Sequence, residues 1–110
     1  MKYACLVYLE DEKFTAVPDA ECAAFGSGLA RDGKSLGGEA LRPISAATTV
    51  RVREGKVAIT DGPFAETKEQ LAGFYLIEAA DLDEALSIAA RIPPARVGSV
   101  EVRPVRQLEP

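Results

Sequence analysis

The chain of 110 residues contains no histidine, only two cysteines and a single methionine. Without histidine, the usual general base near neutral pH and the commonest transition-metal ligand are both missing. Acid–base chemistry would fall to carboxylates, Lys, Tyr or Cys, and neither a metal nor a cofactor is expected. Cys5 falls in an apparent strand and Cys22 in an apparent helix, without the close paired spacing of a zinc site or a redox CxxC, so two buried thiols are the simplest reading. Long apolar runs are absent too. Nothing approaches the roughly 20 residues that a bilayer span needs. The opening "YACLVYL" is short, has only Lys2 before it and runs into Glu10-Asp11-Glu12, which is not the layout of a secretory signal. The expected location is the cytoplasm. Basic residues are outnumbered, 13 against 17, and the resulting charge of −4 makes nucleic acid and anionic membrane poor partners.

What is present is ordinary globular usage, 47% hydrophobic and 27% charged, which suits one domain spanning 1–110 with a single core. From Lys2 to Leu9 apolar residues occupy both parities, with Tyr3, Cys5, Val7 and Leu9 on one face and Ala4, Leu6 and Tyr8 on the other. A strand apolar on both faces is central and covered on both sides. Pro18-Asp19 starts a helix that Gly33 stops, with Cys22, Phe25 and Leu29 as its inward stripe. Gly26 and Gly28 weaken that helix, so either packing supports it or another backbone approaches closely there. "SLGGEAL", 35 to 41, reads as a short strand with a bulge or a close approach at its glycines.

The clearest local signal is "TTVRVREGKVAIT". Alternation on either side of Glu54-Gly55 spells a two-residue hairpin that pairs Arg53 with Lys56, Val52 with Val57, Arg51 with Ala58 and Val50 with Ile59. All four aliphatics then share one face, and Arg51, Arg53 and Lys56 gather on the other. "LAGFYLIEA", 71 to 79, is again apolar at both parities and reads as the second central strand. Asp81 and Glu84 open a second helix, whose stripe is Leu82, Ala85, Leu86 and Ala89 and whose stop is Pro93-Pro94. "SVEVRPV" closes the chain, with Pro104 favouring an edge position or a strand end.

Strand, helix, strand, hairpin, strand, helix, strand is a ferredoxin-like βαββαβ order with an added hairpin, an α+β sandwich. Two helices cover one sheet face. The other face must carry Tyr3 or Tyr8 and Tyr75 or Phe74, and soluble monomers rarely leave such a patch open, so a second copy of the chain is the expected cover.

The run "TTVRVREGKVAITDGPFAETKEQLAGFYLIEAADLDEALSIAARIP", followed by "GSVEVRPV" and preceded by "MKYACLVY", closely resembles the DGPF-domain proteins of the YCII-related superfamily. Ser45 and Ala46 stand where a Ser-Thr or similar pair is common. The resemblance implies a ferredoxin-like chain pairing into a dimeric α+β barrel, usually bacterial, often encoded beside sigma factors of the extracytoplasmic-function type. It also implies, for relatives, an acid–base pair made of a first-helix His and an Asp after the second helix. This chain has no His, and "RIPPARVGSV" contains no Asp, so that pair does not carry over.

Asp61-Gly62-Pro63-Phe64 supports two readings. In the plainer one it is a shaped exit from the hairpin: Asp61 bonds nearby amides, Gly62 takes a glycine-only or extended conformation, Pro63 starts a helical turn and Phe64 anchors the loop in the core. In the other, Asp61, Glu66, Thr67 and Lys68 form one wall of a cleft completed by Gly37, Gly38, Glu39 and the Arg51/Arg53 face. Arg51 and Arg53 are then either a solvated face or a surface for an anionic partner, and Tyr75 belongs to the core or to an interface. Three functions fit: a dimeric module binding a small ligand or a protein such as a sigma factor; a cofactor-free enzyme with Asp61, Glu39 or Glu66 as base; or a structural protein. The lack of histidine favours binding.

Overall fold

The computed structural model describes residues 1–110. Six strands and two helices follow one another as β1 (Lys2–Glu10), α1 (Asp19–Arg31), β2 (Ser35–Ala40), β3 (Thr48–Arg53), β4 (Lys56–Asp61), β5 (Glu69–Glu78), α2 (Leu82–Ala90) and β6 (Ser99–Pro104), with short 3-10 turns at Asp11–Lys13, Ile44–Ala46 and Pro93–Arg96. Four strands make one antiparallel sheet in the order β2-β5-β1-β6, and β3 pairs only with β4. Set the hairpin aside and the order is the ferredoxin-like one, with the two double-sided apolar strands, β1 and β5, in the centre. Pro104 ends β6 on an edge, where a missing N–H costs nothing.

Register explains the two faces. Tyr3 lies opposite Ile77 and Cys5 opposite Tyr75, and these point to the helices; Ala4 lies opposite Leu76 and Leu6 opposite Phe74, and these point away. The helix-side core joins Tyr3, Cys5, Val7 and Ile77 to Leu29 of α1, to Ala85, Ile88 and Ala89 of α2, and to Ile92. Phe25 meets Tyr75 edge-on, ring centroids 5.5 Å apart, a favoured aromatic geometry. Tyr8 and Phe74 are therefore the aromatics on the far face, and they are only partly buried.

Helix ends form for the expected reasons. The Asp81 carboxylate accepts from the N–H of Glu84 at 2.9 Å, while the Glu84 carboxylate accepts from the N–H of Ala80 and the Lys34 ammonium. Those contacts hold the Glu84 carboxyl below its ordinary range, the Ala80 bond first. The inward stripe of α2 is Ala85, Ile88 and Ala89, whereas Leu82 and Leu86 are exposed, a correction to the expected stripe. With small alanines facing the sheet the helix sits close, and the two leucines fall on its outer flank. Nothing crowds Gly26, and near Gly28 there is only an arginine side chain, so α1 is held by Phe25 and Leu29 rather than by a backbone approaching it.

The hairpin has the expected register throughout, from Thr48 opposite Asp61 to Arg53 opposite Lys56, and its turn places both Glu54 and Gly55 at positive φ. It stands apart from the body. The radius of gyration is 15.5 Å, against about 13 Å for a compact chain of this length, and the molecule measures 45 × 41 × 19 Å. Val50, Val52, Val57 and Ile59 are 63, 58, 64 and 70% exposed. An apolar stripe designed like a buried one is left uncovered in the single chain.

Candidate ligand-binding cavity

The segment after the hairpin is braced mainly through backbone groups. Gly62 has φ 108, a conformation open to glycine and strained for other residues; its N–H donates to the Ala47 carbonyl at 2.7 Å. The Thr49 hydroxyl donates to the Gly62 carbonyl at 2.8 Å, and the Gln70 amide donates to the carbonyls of Ala65 and Thr67. Thr67 donates to the Glu69 carbonyl, and the Lys68 ammonium lies 3.4 Å from the Glu10 carboxylate, which also pairs with Lys13. The Lys13 and Lys68 contacts, Lys13 first, draw the Glu10 carboxyl below its ordinary range. Three expectations for this loop are corrected. The Asp61 side chain caps no amide: the Gly62 N–H donates to the Ala47 carbonyl instead, while Thr49 and Gln70 serve the loop's carbonyls. No helical turn begins at Pro63, since Gly62 leaves β4 at an angle that turns the chain away. Phe64 does not anchor the core: it is 77% exposed beside the hairpin root.

Two cavities flank the sheet. The first, about 370 Å³, opens between α1, the loop after β1 and the β2–β5 edge; eleven of its sixteen lining residues are hydrophobic. Val7, Phe14 and Val17 make much of its wall, and Asp19, Cys22 and Tyr75 supply its polar side chains; Phe74 and Glu39, opposite each other in the register, border it along the β2–β5 edge with their side chains on the far face. Gly38 is what lets β2 pass there: a Cβ on it would stand 2.6 Å from the Phe74 carbonyl oxygen. The second, about 580 Å³, lies at the hairpin root, lined by Tyr8, Ile44, Pro63, Phe64, Thr67 and Leu71 among others.

The residues expected to form one cleft are thus divided. Gly38 and Glu39 line the first cavity, and Pro63, Phe64 and Thr67 line the second. Arg51, Arg53, Asp61, Glu66 and Lys68 line neither. Arg51 reaches the Phe64 carbonyl at 3.5 Å, and Arg53 bonds the carbonyl of its neighbour Val52. Gly37 forms the bulge of β2 with φ 127, and Gly62 shapes the loop. Glu39, Asp61 and Glu66 are all exposed in the single chain, so none has the dehydrated surroundings that a carboxylate base near neutral pH requires.

Sequence reasoning passed over Asp19, Cys22 and Tyr75 as site residues. Helix spacing had marked Cys22 as facing inward, but only the edge-strand glycines of β2 reveal that the space in front of it stays open. Burial pushes the Cys22 thiol up, helped by Asp19 and Glu21, and burial pushes the Tyr75 phenol up, helped by Cys22. Both are neutral at physiological pH and can donate or accept a hydrogen bond. Cys5, fully buried behind them, is pushed up to about 11 by burial and is a core residue. Beside the cavity, Arg96 grips Glu21 through both guanidinium nitrogens, at 2.5 and 2.9 Å, tying α1 to the turn after α2. That contact lowers the Glu21 carboxyl and raises the guanidinium. The cavity therefore opens between the first helix and the stretch after the second, the segments where the sequence resemblance implies an acid–base pair in relatives. Here they contribute Asp19, Cys22, Ala23 and Pro94.

No group of His, Cys, Asp or Glu side chains is clustered to hold a metal ion, and no helix is long and apolar enough to cross a membrane. A family model described as "YCII-related domain" matches residues 1–109. A protein of Rhizobium meliloti (strain 1021), described as uncharacterized, is 53% identical over 72 residues, 64% of this chain; the match spans 58% of that relative's length.

Proposed function

The chain belongs to the YCII-related domain family, and from that premise we propose that it is a cytoplasmic bacterial protein of the DGPF type, homodimeric, which binds a small and largely apolar molecule beneath α1. The observation that carries this reading is the 370 Å³ cavity, within the 300–1,000 Å³ range of small-molecule sites, mostly apolar and furnished with a few convergent polar groups. The uncovered sheet face and the exposed stripe of the hairpin support pairing into an α+β barrel, since both are apolar surfaces of the kind a second copy shelters. The cofactor-free enzyme is the weaker reading, because Asp61, Glu39 and Glu66 are all open to water. The resemblance adds an extracytoplasmic-function sigma factor as protein partner, with Arg51, Arg53 and Lys56 as the cationic surface offered to it.

The binding reading is tested by titrating isotope-labelled protein with small aromatic molecules and following the amides of Ala23, Gly38 and Gly73. Saturable shifts that disappear in Ala23→Leu, a variant that fills the cavity, are expected. Shifts that survive in a folded Ala23→Leu protein would place the ligand elsewhere, and a new product in the same samples would favour the enzyme. For the partner, charge reversal at Arg51 and Arg53 should reduce recovery of the sigma factor in co-purification; unchanged recovery removes the case for that surface.

A further inference from the structure

We infer that the hairpin arm is a clasp exchanged between two copies of the chain: the apolar side of β3 and β4 lies on the far sheet face of the other copy, which returns the same contact with its own arm. The inference rests on the homodimeric reading above and adds which surface meets which.

One row of the far face crosses all four strands. Glu39 on β2 lies opposite Phe74 on β5, Phe74 opposite Leu6 on β1, and Leu6 opposite Glu101 on β6. Its two central residues are apolar and partly buried, and an exposed carboxylate stands at each edge. The arm carries the complementary pattern. Its apolar stripe is two strands wide, with Val50 opposite Ile59 and Val52 opposite Val57, which matches the central pair β5 and β1. The six residues of β3 span about 20 Å, within the length of the nine-residue β1, so the arm fits along the centre of the sheet in the aligned packing of two sheet layers. Arg51, Arg53 and Lys56 stand on the arm's other side, and none of them is engaged in an ion pair. Long basic side chains lay their stems along an apolar margin and carry the charge outward. With the arm over β5 and β1, those charges fall toward the carboxylates at the sheet's edges.

Charge and area separate this arrangement from arm against arm. Between Val50 and Ile59 three basic residues stand against one acid, a net charge of +2 within a chain of −4, so the rest of the chain carries −6. Two arms laid together would set +2 against +2, whereas an arm on the other copy's body sets +2 against −6. The four aliphatic side chains of one arm offer on the order of 400 Å² of apolar surface, short of the roughly 800 Å² per partner that a stable interface buries. Arm against arm would bury only that much and leave the sheet face wet. Exchange buries both uncovered surfaces of both copies, and a two-fold axis supplies the second contact at once.

The test mixes isotope-labelled and unlabelled full-length protein in equal amounts, so that filtered nuclear Overhauser effects report contacts between copies alone. The methyl protons of Val52 and Val57 should contact the Phe74 ring and the Leu6 methyls of the other copy. Contacts from these valines to the valines of the other arm overturn the inference, as does a dimer in which the arm makes no contact between copies; both leave the homodimeric reading intact. A chain that stays monomeric in these samples removes that reading and the inference with it. Salt gives a second readout. Raising sodium chloride should raise the dissociation constant of the dimer about ten-fold. Glu39→Gln/Glu101→Gln, which alters only exposed side chains, should reduce that dependence to about two-fold. A salt dependence of opposite sign, or one unchanged in the double variant, overturns the exchange.

Discussion

The central sheet and the hairpin are built from the same alternating valines and isoleucines, yet they end in opposite surroundings. Ile77 on β5 is completely buried against two helices; Ile59 on β4 is 70% exposed. Alternation sets which residues share a face and which residue opposes which, because side chains repeat every two positions along any strand. It does not say what will lie over that face. In the body the cover is α1 and α2, connected in sequence to the strands they roof. In the arm no element of the same chain reaches the apolar side. The difference shows that register is a local property, while burial depends on what else is present.

The largest effect that would sharpen this contrast lies in the body. Ile77→Ala removes buried side-chain volume from the helix-side core and should lower stability by about 2–5 kcal/mol in urea unfolding. Gly38→Ala comes next, at about 1–3 kcal/mol, because the new Cβ meets a backbone carbonyl on β5 that cannot easily move. The same variant should weaken ligand binding, since the obstruction lies on the cavity wall.

Cys5 reports the dryness of the body through pH. Its thiol is pushed up to about 11 in the folded protein from an ordinary value of 9.0, so the unfolded chain releases this proton first as pH rises. The contribution is fully present below pH 9 and is lost between about pH 9 and 11, a fall on the order of 1–3 kcal/mol. Urea unfolding across that window should show the fall, and Cys5→Ala should flatten it; an unchanged slope in the variant would mean that the thiol is not held dry. The smallest effect belongs to the arm. In dilute solution, where the chain is alone, Val52→Thr or Val57→Thr should change stability by no more than about 0.5 kcal/mol. A cost as large as that of Ile77→Ala in a single chain would break the comparison, because it would require an intramolecular cover for the hairpin.

Much of this architecture is legible in the residues. The central placement of β1 and β5 follows from apolar residues at both parities, the hairpin register from the Glu54-Gly55 turn, and the ends of α2 from Asp81 and the paired prolines. The α2 stripe was misjudged because Leu82 and Leu86 outrank alanine in hydrophobicity, whereas close packing on the sheet selects small residues. Phe64 was misjudged for the same kind of reason: a large aromatic in a loop suggests an anchor, and the direction in which Gly62 releases the chain settles where it points. The candidate site was only half legible. Gly38 and Glu39 stand at the cavity's β2 edge, but Asp19 and Cys22 come to it from α1 and Tyr75 from β5, and no spacing in sequence joins that helix to that strand. The far face of the sheet was legible as a surface in need of a cover, with Tyr8 and Phe74 now identified as its aromatics.

That far face, together with the arm, carries the account's central claim, that a second copy supplies the missing cover. Sedimentation velocity over a dilution series measures this directly. The account predicts a particle of twice 11.7 kDa that dissociates already at lower dilution once the exposed stripe is made polar by Val52→Thr/Val57→Thr. A particle of 11.7 kDa at every concentration, well folded and with its far face wet, would contradict it.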